Sequence, residues 1–166
     1  MTFGKDVNEK DFLSEISRHQ GIIRKICRVY RRTSEDQQDC FQETLLQLWK
    51  SFPSFRGDSK ISTWIYRIAL NVALTGFRKR EPEITYSDML PDSPEFVQAE
   101  ETTRRQEWLI WAIRQLTEAD RALLILYLDE LSYREIADIT GLSEGNIGVK
   151  LNRIKRRLTE LAKKNK

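Results

Sequence analysis

Between Gly141 and Lys166 stand eight Lys or Arg residues (150, 153, 155, 156, 157, 163, 164 and 166) against two acids, Glu144 and Glu160. The segment carries a net +6, while the whole chain carries +3. Cations at this density suit a partner built of phosphates. Their spacing also gives them a direction. Wound as a helix, Asn146, Lys150, Arg153 and Arg157 share one face, with Arg156 beside it. Ile147, Leu151, Ile154, Leu158 and Leu161 recur at alternating spacings of four and three, which makes one stripe to be buried. A buried stripe behind, cations and an amide in front, is what a helix needs to lie in a DNA major groove. Many basic amphipathic helices are only solvated surfaces. Here the concentration of cations, and the small polar turn before the helix, favour DNA.

The elements that position this helix are legible too. Ser132 and Glu135, three apart, form a capping box that starts a short helix. Ile136, Ala137 and Ile139 give that helix a small apolar face. Gly141 is placed to take the left-handed conformation that stops it. Ser143 then caps the basic helix. A short helix, a turn with glycine and a second, cationic helix is the helix-turn-helix pattern.

Bulk properties exclude other chemistries. A length of 166 residues allows one domain or two small ones. Forty per cent hydrophobic residues and four Trp suffice for helical cores, and 32% charged residues suit a soluble chain. No apolar run is long enough to cross a membrane. Met1 to Lys10 is polar and lacks the apolar stretch of a signal peptide. Cys27 and Cys40 show no metal-ligand spacing and read as free thiols of a cytoplasmic protein. The single His19 argues against a histidine-based metal or catalytic centre. With no glycine-rich phosphate loop and no nucleophile elbow, neither cofactor, metal nor enzyme activity is expected.

Charge and proline divide the chain. Glu81 to Glu101 holds seven acids, no Lys or Arg, and three of the four prolines, Pro82, Pro91 and Pro94. Proline opposes helix and like charges extend a chain, so residues 81–102 read as a linker between domains 1–80 and 103–166. Such a tether, beside basic domains, also has the character of a nucleic-acid mimic. Before it, the periodicity predicts helices from Glu9 to about His19, from Gly21 to Arg31, from Ser34 (with Gln37 three residues on) to Pro53, and from about Ser62 to Lys79. The last would bury Ile65, Ile68, Val72 and Gly76. After the linker, Thr103–Leu116 and Glu118–Leu128 are expected as helices, with Thr117 capping the second. No segment alternates as a strand would, so the fold class is all-α: two small helical domains joined by an acidic linker.

Three N-terminal features exceed what folding requires. Asp39, Gln42 and Glu43 lie exposed beside apolar Leu46 and Trp49, as a docking surface would. Trp64, Arg67 and Asn71, with Tyr66 and Phe77, precede Arg78, Lys79 and Arg80. Aromatics interleaved with cations offer stacking faces and phosphate contacts to unpaired bases. The loop Phe55–Lys60, with Arg56 and Lys60, stands just before that helix.

Gln38 to Trp49, Phe55-Arg56-Gly57, and Trp64 to Asn71 through Arg80 together resemble the second conserved region of extracytoplasmic-function (ECF) sigma factors. Leu116 to Arg121 through Arg157 resembles their fourth region. The resemblance covers nearly the whole chain, with both motif sets in the right order. It implies a dissociable promoter-specificity subunit of bacterial RNA polymerase. By resemblance, Asp39, Gln42, Glu43, Leu46 and Trp49 dock on core polymerase. Arg56, Lys60, Trp64, Arg67, Asn71, Arg78, Lys79 and Arg80 hold the minus-ten element of promoter DNA as it opens, with one base flipped out. Ser143, Asn146, Val149, Lys150, Arg153, Arg156 and Arg157 serve the minus-thirty-five element, and the acidic linker threads toward the RNA channel. An anti-sigma factor is a candidate partner. Leu70 and Thr75 depart from the basic and acidic residues that many members carry there, and Gly145 and Gly148 are poor helix formers early in the recognition helix. These bear on promoter sequence, not on class. The alternative is a stand-alone helix-turn-helix regulator, which would bind its operator without polymerase.

Overall fold

The computed structural model describes residues 9–80 and 101–165. Among them the order is α1 (Glu9–Tyr30), α2 (Ser34–Ser51), a 3-10 turn (Phe52–Ser54), α3 (Ile61–Arg80), α4 (Glu101–Arg114), α5 (Glu118–Leu128), α6 (Tyr133–Thr140) and α7 (Glu144–Lys164). The all-α expectation holds. Helices α1 to α3 pack on one another, α5 to α7 form a second group with α4 alongside, and α1 meets α4 as α3 meets α6.

The two helices expected over 9–31 are one. Helix α1 runs unbroken through Gly21. Glycine costs roughly 1 kcal/mol in a helix interior. Each buried large apolar side chain returns roughly 1.5–3 kcal/mol. Phe12, Ile16, Ile23, Ile26 and Val29 are all buried along this helix, so burial wins. The start of α2 shifts by one residue: Thr33 is the cap, its hydroxyl accepting from the Asp36 N–H at 3.1 Å. Pro53 falls in the 3-10 turn that closes α2.

Helix α3 is rotated from its expected face. Ile65, Tyr66, Ala69, Leu70 and Ala73 are buried, whereas Ile68 and Val72 are only half-buried. Gly76 is not part of an apolar face. A Cβ there would lie 2.3 Å from the Arg31 guanidinium, which crosses it to donate to the Ala73 carbonyl at 3.1 Å. Leu70, one of the two departures from the resemblance, is a core residue here, 4% exposed.

The linker expected over 81–102 lies outside the described residues except at its end, where Glu101 and Thr102 already belong to α4. Helix α4 stops at Arg114; Gln115 and Leu116 close it with tighter bonds to the Ala112 and Ile113 carbonyls. Thr117 caps α5 as expected, accepting from the Asp120 N–H. Cys27 and Cys40 are free, as expected, and both buried. The fold brings these thiols side by side between α1 and α2, and their shared hydrogen bond holds Cys27 firmly protonated.

Helix α5 ends in a Schellman-type turn: the Leu131 N–H bonds the Leu126 carbonyl and the Glu130 N–H bonds that of Tyr127. Glu130 occupies the left-handed position, with φ of 61°. A residue with a Cβ pays about 1–2 kcal/mol there. Two substitutions therefore stabilise the chain. Glu130→Gly removes the left-handed penalty, and Gly21→Ala, where a Cβ meets nothing within 4 Å, restores helix propensity. Each is expected to add about 1 kcal/mol, or roughly 2–4 °C in a thermal melt followed by circular dichroism. A Glu130→Ala control should show no gain.

Candidate nucleic-acid interface

The C-terminal unit assembles from local signals. Ser132 and Glu135 form the full capping box: the serine oxygen accepts from the Glu135 N–H, and the Glu135 carboxylate accepts from the Ser132 N–H at 2.8 Å. Gly141 ends α6 at φ 76°. The Ser143 hydroxyl accepts from the Asn146 N–H at 3.2 Å and starts α7. Ile136, Ile147, Leu151 and Ile154 are at most 1% exposed and lock α6 and α7 against α5. Leu158 and Leu161 complete the stripe half-buried.

The remaining surface of α7 faces out. Ser143, Asn146, Val149, Arg153, Arg156 and Arg157 are exposed and Lys150 is half-exposed. Val149, 69% exposed, is an apolar side chain standing in water amid cations. That combination suits the methyl group of a thymine in a major groove. The cations are not equivalent. The Arg153 guanidinium donates to both carboxylate oxygens of Asp120, at 3.1 and 3.3 Å. Lys155 turns back to α5, donating to the Tyr127 hydroxyl at 3.0 Å and lying 4.3 Å from that ring's centre. Lys150, Arg156 and Arg157 make no ion pair with a described residue.

In the N-terminal unit the 55–60 loop hangs from an aromatic cluster. Phe55 is buried, its ring 5.1 Å from that of Trp64, and Phe52 sits 6.1 Å from Trp64 on the other side. Trp64 is thus half-buried and anchors the loop. Gly57, at φ 76°, turns the chain back, leaving Arg56 exposed. Lys60, Arg67 and Asn71 are exposed. The side chains of Arg78, Lys79 and Arg80, at the end of α3, lie outside the described ones.

Asp39, Gln42, Glu43 and Leu46 line one groove of about 910 Å³ between α2 and α3, and Asn71 and Thr75 form its opposite wall. Asn71 therefore borders the acidic ridge as well as the Lys60–Arg67 side. Leu46 and Trp49 are each 44% exposed, the Trp49 ring held edge-on 5.0 Å from Phe12. Leu13 of α1 is likewise exposed, at 55%.

The fold adds contacts that spacing does not reveal. Lys60 pairs with Glu135 at 2.7 Å, and Arg67 donates to the Asp138 carbonyl at 2.9 Å. The Lys60 ammonium, with the Ser132 N–H, pulls the Glu135 carboxyl down to about 2. Asp129 accepts from both Lys25 and Tyr66. Burial and that hydrogen bond to Asp129 push the Tyr66 phenol upward. Lys25, Tyr66 and Asp129 were invisible in the sequence because the pairs are 104 and 63 positions apart.

Two small helical domains, one ending in a helix-turn-helix with a basic recognition helix, define a DNA-binding transcription protein. Comparison places it more closely. The chain matches Sigma-70 region 2 over residues 16–83 and Sigma-70 region 4 over residues 106–158. It is 33% identical over 136 residues to RNA polymerase sigma factor YlaC of Bacillus subtilis, covering 75% of this chain and 78% of the relative. It is 29% identical over 146 residues to ECF RNA polymerase sigma factor SigM of Mycobacterium tuberculosis, covering 87% and 73%. Its fold matches sigma factor RpoE of Bartonella quintana, solved with the anti-sigma factor NepR, at a TM-score of 0.73 and 24% identity over 93% of this chain and 98% of that one. The chain belongs to the ECF family of sigma-70 factors, the RNA polymerase subunits that direct transcription initiation. Possession of region 2 together with region 4 disfavours the stand-alone regulator. No described helix is long and apolar enough to cross a membrane.

Alanine at Asn146 or Arg153 is expected to relax preference at one position of the upstream element and cost about 1–3 kcal/mol there. Alanine at Arg156 or Arg157 should weaken all sequences alike and lower the salt slope by roughly one. Holoenzyme binding to a panel of upstream-element variants, at several salt concentrations, separates the two. Uniform weakening by all four substitutions would make α7 an anchor without a reading role.

Proposed function

We propose that the chain divides promoter capture between its two domains, 1–80 and 103–166, and docks on core polymerase through the α2 ridge. The observation that carries this reading is the groove between α2 and α3. One of its walls presents Asp39, Gln42, Glu43 and Leu46, with Trp49 exposed further along the same helix. Acids rimming an apolar patch fit a basic, amphipathic partner surface, where charge sets orientation and the buried apolar centre supplies affinity.

On the other wall, Asn71 leads to Arg67, Lys60 and the Arg56 loop. These side chains meet the minus-ten element as its strands separate. Trp64 holds the loop in place. A base leaving the stack costs a few kcal/mol, and the loop with its cationic rim offsets that cost. Arg78, Lys79 and Arg80 supply phosphate contacts at the end of α3. The α7 face carrying Asn146, Val149, Lys150 and Arg153 reads the minus-thirty-five element, with Ser143 at its start and Arg156 and Arg157 on phosphates. For Arg153 to reach a base it must leave Asp120. The acidic stretch 81–100 joins the domains and lies along the RNA path. The protein acts in the cytoplasm by binding and not by catalysis, with core polymerase and promoter DNA as partners. An anti-sigma factor is a further partner, as RpoE of Bartonella quintana has in NepR.

Run-off transcription with core polymerase, with and without this protein, tests the assignment; promoter-dependent transcripts should require the protein. Within that assay, Glu43→Lys, Leu46→Ala and Trp49→Ala should each weaken co-purification with core polymerase at least about tenfold, roughly 1.4 kcal/mol. Their circular-dichroism spectra should be unchanged because these side chains are exposed. Trp64→Ala should behave differently, losing about 3 kcal/mol of stability as well as activity, since it empties the Phe52–Phe55 cluster. Asn71→Ala should impair opening on duplex promoter more than on a pre-melted one. Equal loss on both templates would assign Asn71 to docking instead.

A further inference from the structure

Cys27 and Cys40 are the two cysteines of the chain, and docking and DNA capture use neither. They come from different helices, α1 and α2, which the short turn 31–33 folds onto each other. The two thiols are hydrogen-bonded inside the core, Cys27 at 2% exposure and Cys40 at 5%. A structural cysteine buried among apolar groups is inert. Cys40 is not of that kind. Together with Arg31 it forms part of the wall of the groove of about 910 Å³ between α2 and α3. A small molecule entering that groove meets Cys40 first, with Cys27 behind it in the core cluster.

The surroundings of Cys40 favour a thiolate. The Cys27 S–H donates to its sulfur, the Arg31 charge acts on it, and the Thr44 hydroxyl is within reach. Against the effect of burial, these hold the Cys40 thiol below its usual range. The Arg31 guanidinium donates to the Tyr30 and Ala73 carbonyls, at 3.0 and 3.1 Å, which carry no charge to cancel its own. Thr44 is fully buried and donates to the Cys40 carbonyl at 2.8 Å, which fixes it beside the cysteine. The shared hydrogen bond pushes the Cys27 thiol the other way, so Cys27 keeps its proton. One thiolate reachable from a groove, with a protonated thiol in contact behind it, is a reactive cysteine with a resolving partner.

We propose that Cys40 and Cys27 are a hydroperoxide-reactive pair that closes to a disulfide beneath the α2 ridge, and that closure weakens docking on core polymerase. The Cys40 thiolate attacks one oxygen of hydrogen peroxide. An S–O bond forms, the O–O bond breaks, and the departing hydroxide takes a proton from solvent to become water. The Cys27 sulfur then attacks the sulfur of the Cys40 sulfenic acid. The S–S bond forms, the S–O bond breaks, and the hydroxide leaves with the Cys27 proton as a second water. The pair is oxidised by two electrons and the peroxide is reduced by two. In a reducing compartment such a disulfide is transient, which is the property a redox sensor needs. Hydrogen-bonded sulfurs stand well beyond the roughly 2.05 Å of a disulfide, so closure draws the first turns of α2 toward α1. Asp39 adjoins Cys40 and Glu43 lies three positions on in the same helix, so the ridge moves with them. The docking half of the proposal rests on the reading of that ridge as the polymerase contact.

The test uses the full chain, reduced, freed of reductant and treated with hydrogen peroxide that catalase then removes. Remaining thiols are alkylated in denaturant with N-ethylmaleimide, and intact mass and a peptide map are recorded. Wild type should lose two hydrogens and take up no maleimide, with Cys27 joined to Cys40 within one chain. Cys27→Ala should stop at a Cys40 sulfenic acid that dimedone captures, and Cys40→Ala should keep Cys27 reduced under the same peroxide. The wild-type mass decides the disulfide even where a variant fails to fold. Oxidised and reduced chains are then titrated against untreated core polymerase, with Glu43→Lys alongside. Oxidation should weaken binding at least about fivefold. Dithiothreitol should restore it, and Cys27→Ala/Cys40→Ala should bind alike with and without peroxide. Two maleimides on peroxide-treated wild type, or a disulfide only between chains, overturns the pair. Ready oxidation of Cys27 in Cys40→Ala overturns Cys40 as the attacking thiol. Equal weakening of the peroxide-treated double variant overturns the disulfide as its cause. A disulfide with unchanged polymerase binding, where Glu43→Lys binds weakly, overturns the effect on docking and leaves the ridge reading standing. Glu43→Lys binding as tightly as wild type overturns the ridge reading, and the peptide map still decides the thiol chemistry.

Discussion

Burial along α1 is the constraint on which the other elements depend. One edge of this helix carries Phe12, Ile16, Ile23 and Ile26 into the three-helix packing with α2 and α3. Its far end carries Val29 and Tyr30, and the Tyr30 hydroxyl reaches the start of α5. A break at Gly21 would turn these two sets away from each other and forfeit one of them. A glycine penalty of roughly 1 kcal/mol is small beside several buried side chains at roughly 1.5–3 kcal/mol each. The helix is therefore continuous, and α4 packs against it beside the N-terminal bundle.

Helix ends are the second organising feature. The N-termini of α2, α5, α6 and α7 are closed by Thr33, Thr117, Ser132 and Ser143, each accepting a main-chain N–H. The C-termini of α1 and α4 are closed by arginines. Arg114 donates to the Arg28 and Arg31 carbonyls at the end of α1, and Arg121 donates to the Arg114 and Leu116 carbonyls at the end of α4. A guanidinium suits this position because it offers several donors and its charge opposes the negative end of the helix dipole. The arrangement crowds like charges: burial first, then Arg32, Arg28 and Arg121, lowers the proton affinity of Arg114. Its Nε is buried without a partner among the described groups. The two arginines thus spend donors on four main-chain carbonyls.

The same economy explains why the basic face of α7 is smaller than its cation count. Arg153 and Lys155 are turned back to α5 by Asp120 and Tyr127. Lys150, Arg156 and Arg157, with Asn146 and Val149, are what the helix offers outward. Net charge draws DNA from a distance. In the proposed reading, discrimination rests on the few side chains that the intradomain pairs leave available or release.

The C-terminal unit was legible in the sequence because its determinants are local. A capping box, a left-handed glycine, a serine cap and an apolar stripe act over three or four residues, and each is found where spacing placed it. The exposed ridge Asp39, Gln42, Glu43, Leu46 and Trp49 was legible for the same reason. What tertiary structure alone decided involves competition or distance. Propensity broke α1 at Gly21, and burial overrode it. Periodicity placed Ile68, Val72 and Gly76 on the core face of α3. The partner helices and Arg31 instead turned Tyr66, Ala69 and Leu70 inward. Trp64 looked like a stacking platform until Phe52 and Phe55 closed around it. The meeting of Lys25, Tyr66 and Asp129 has no signature in the sequence, because a carboxylate's partners are set by which helices pack together and not by its neighbours along the chain.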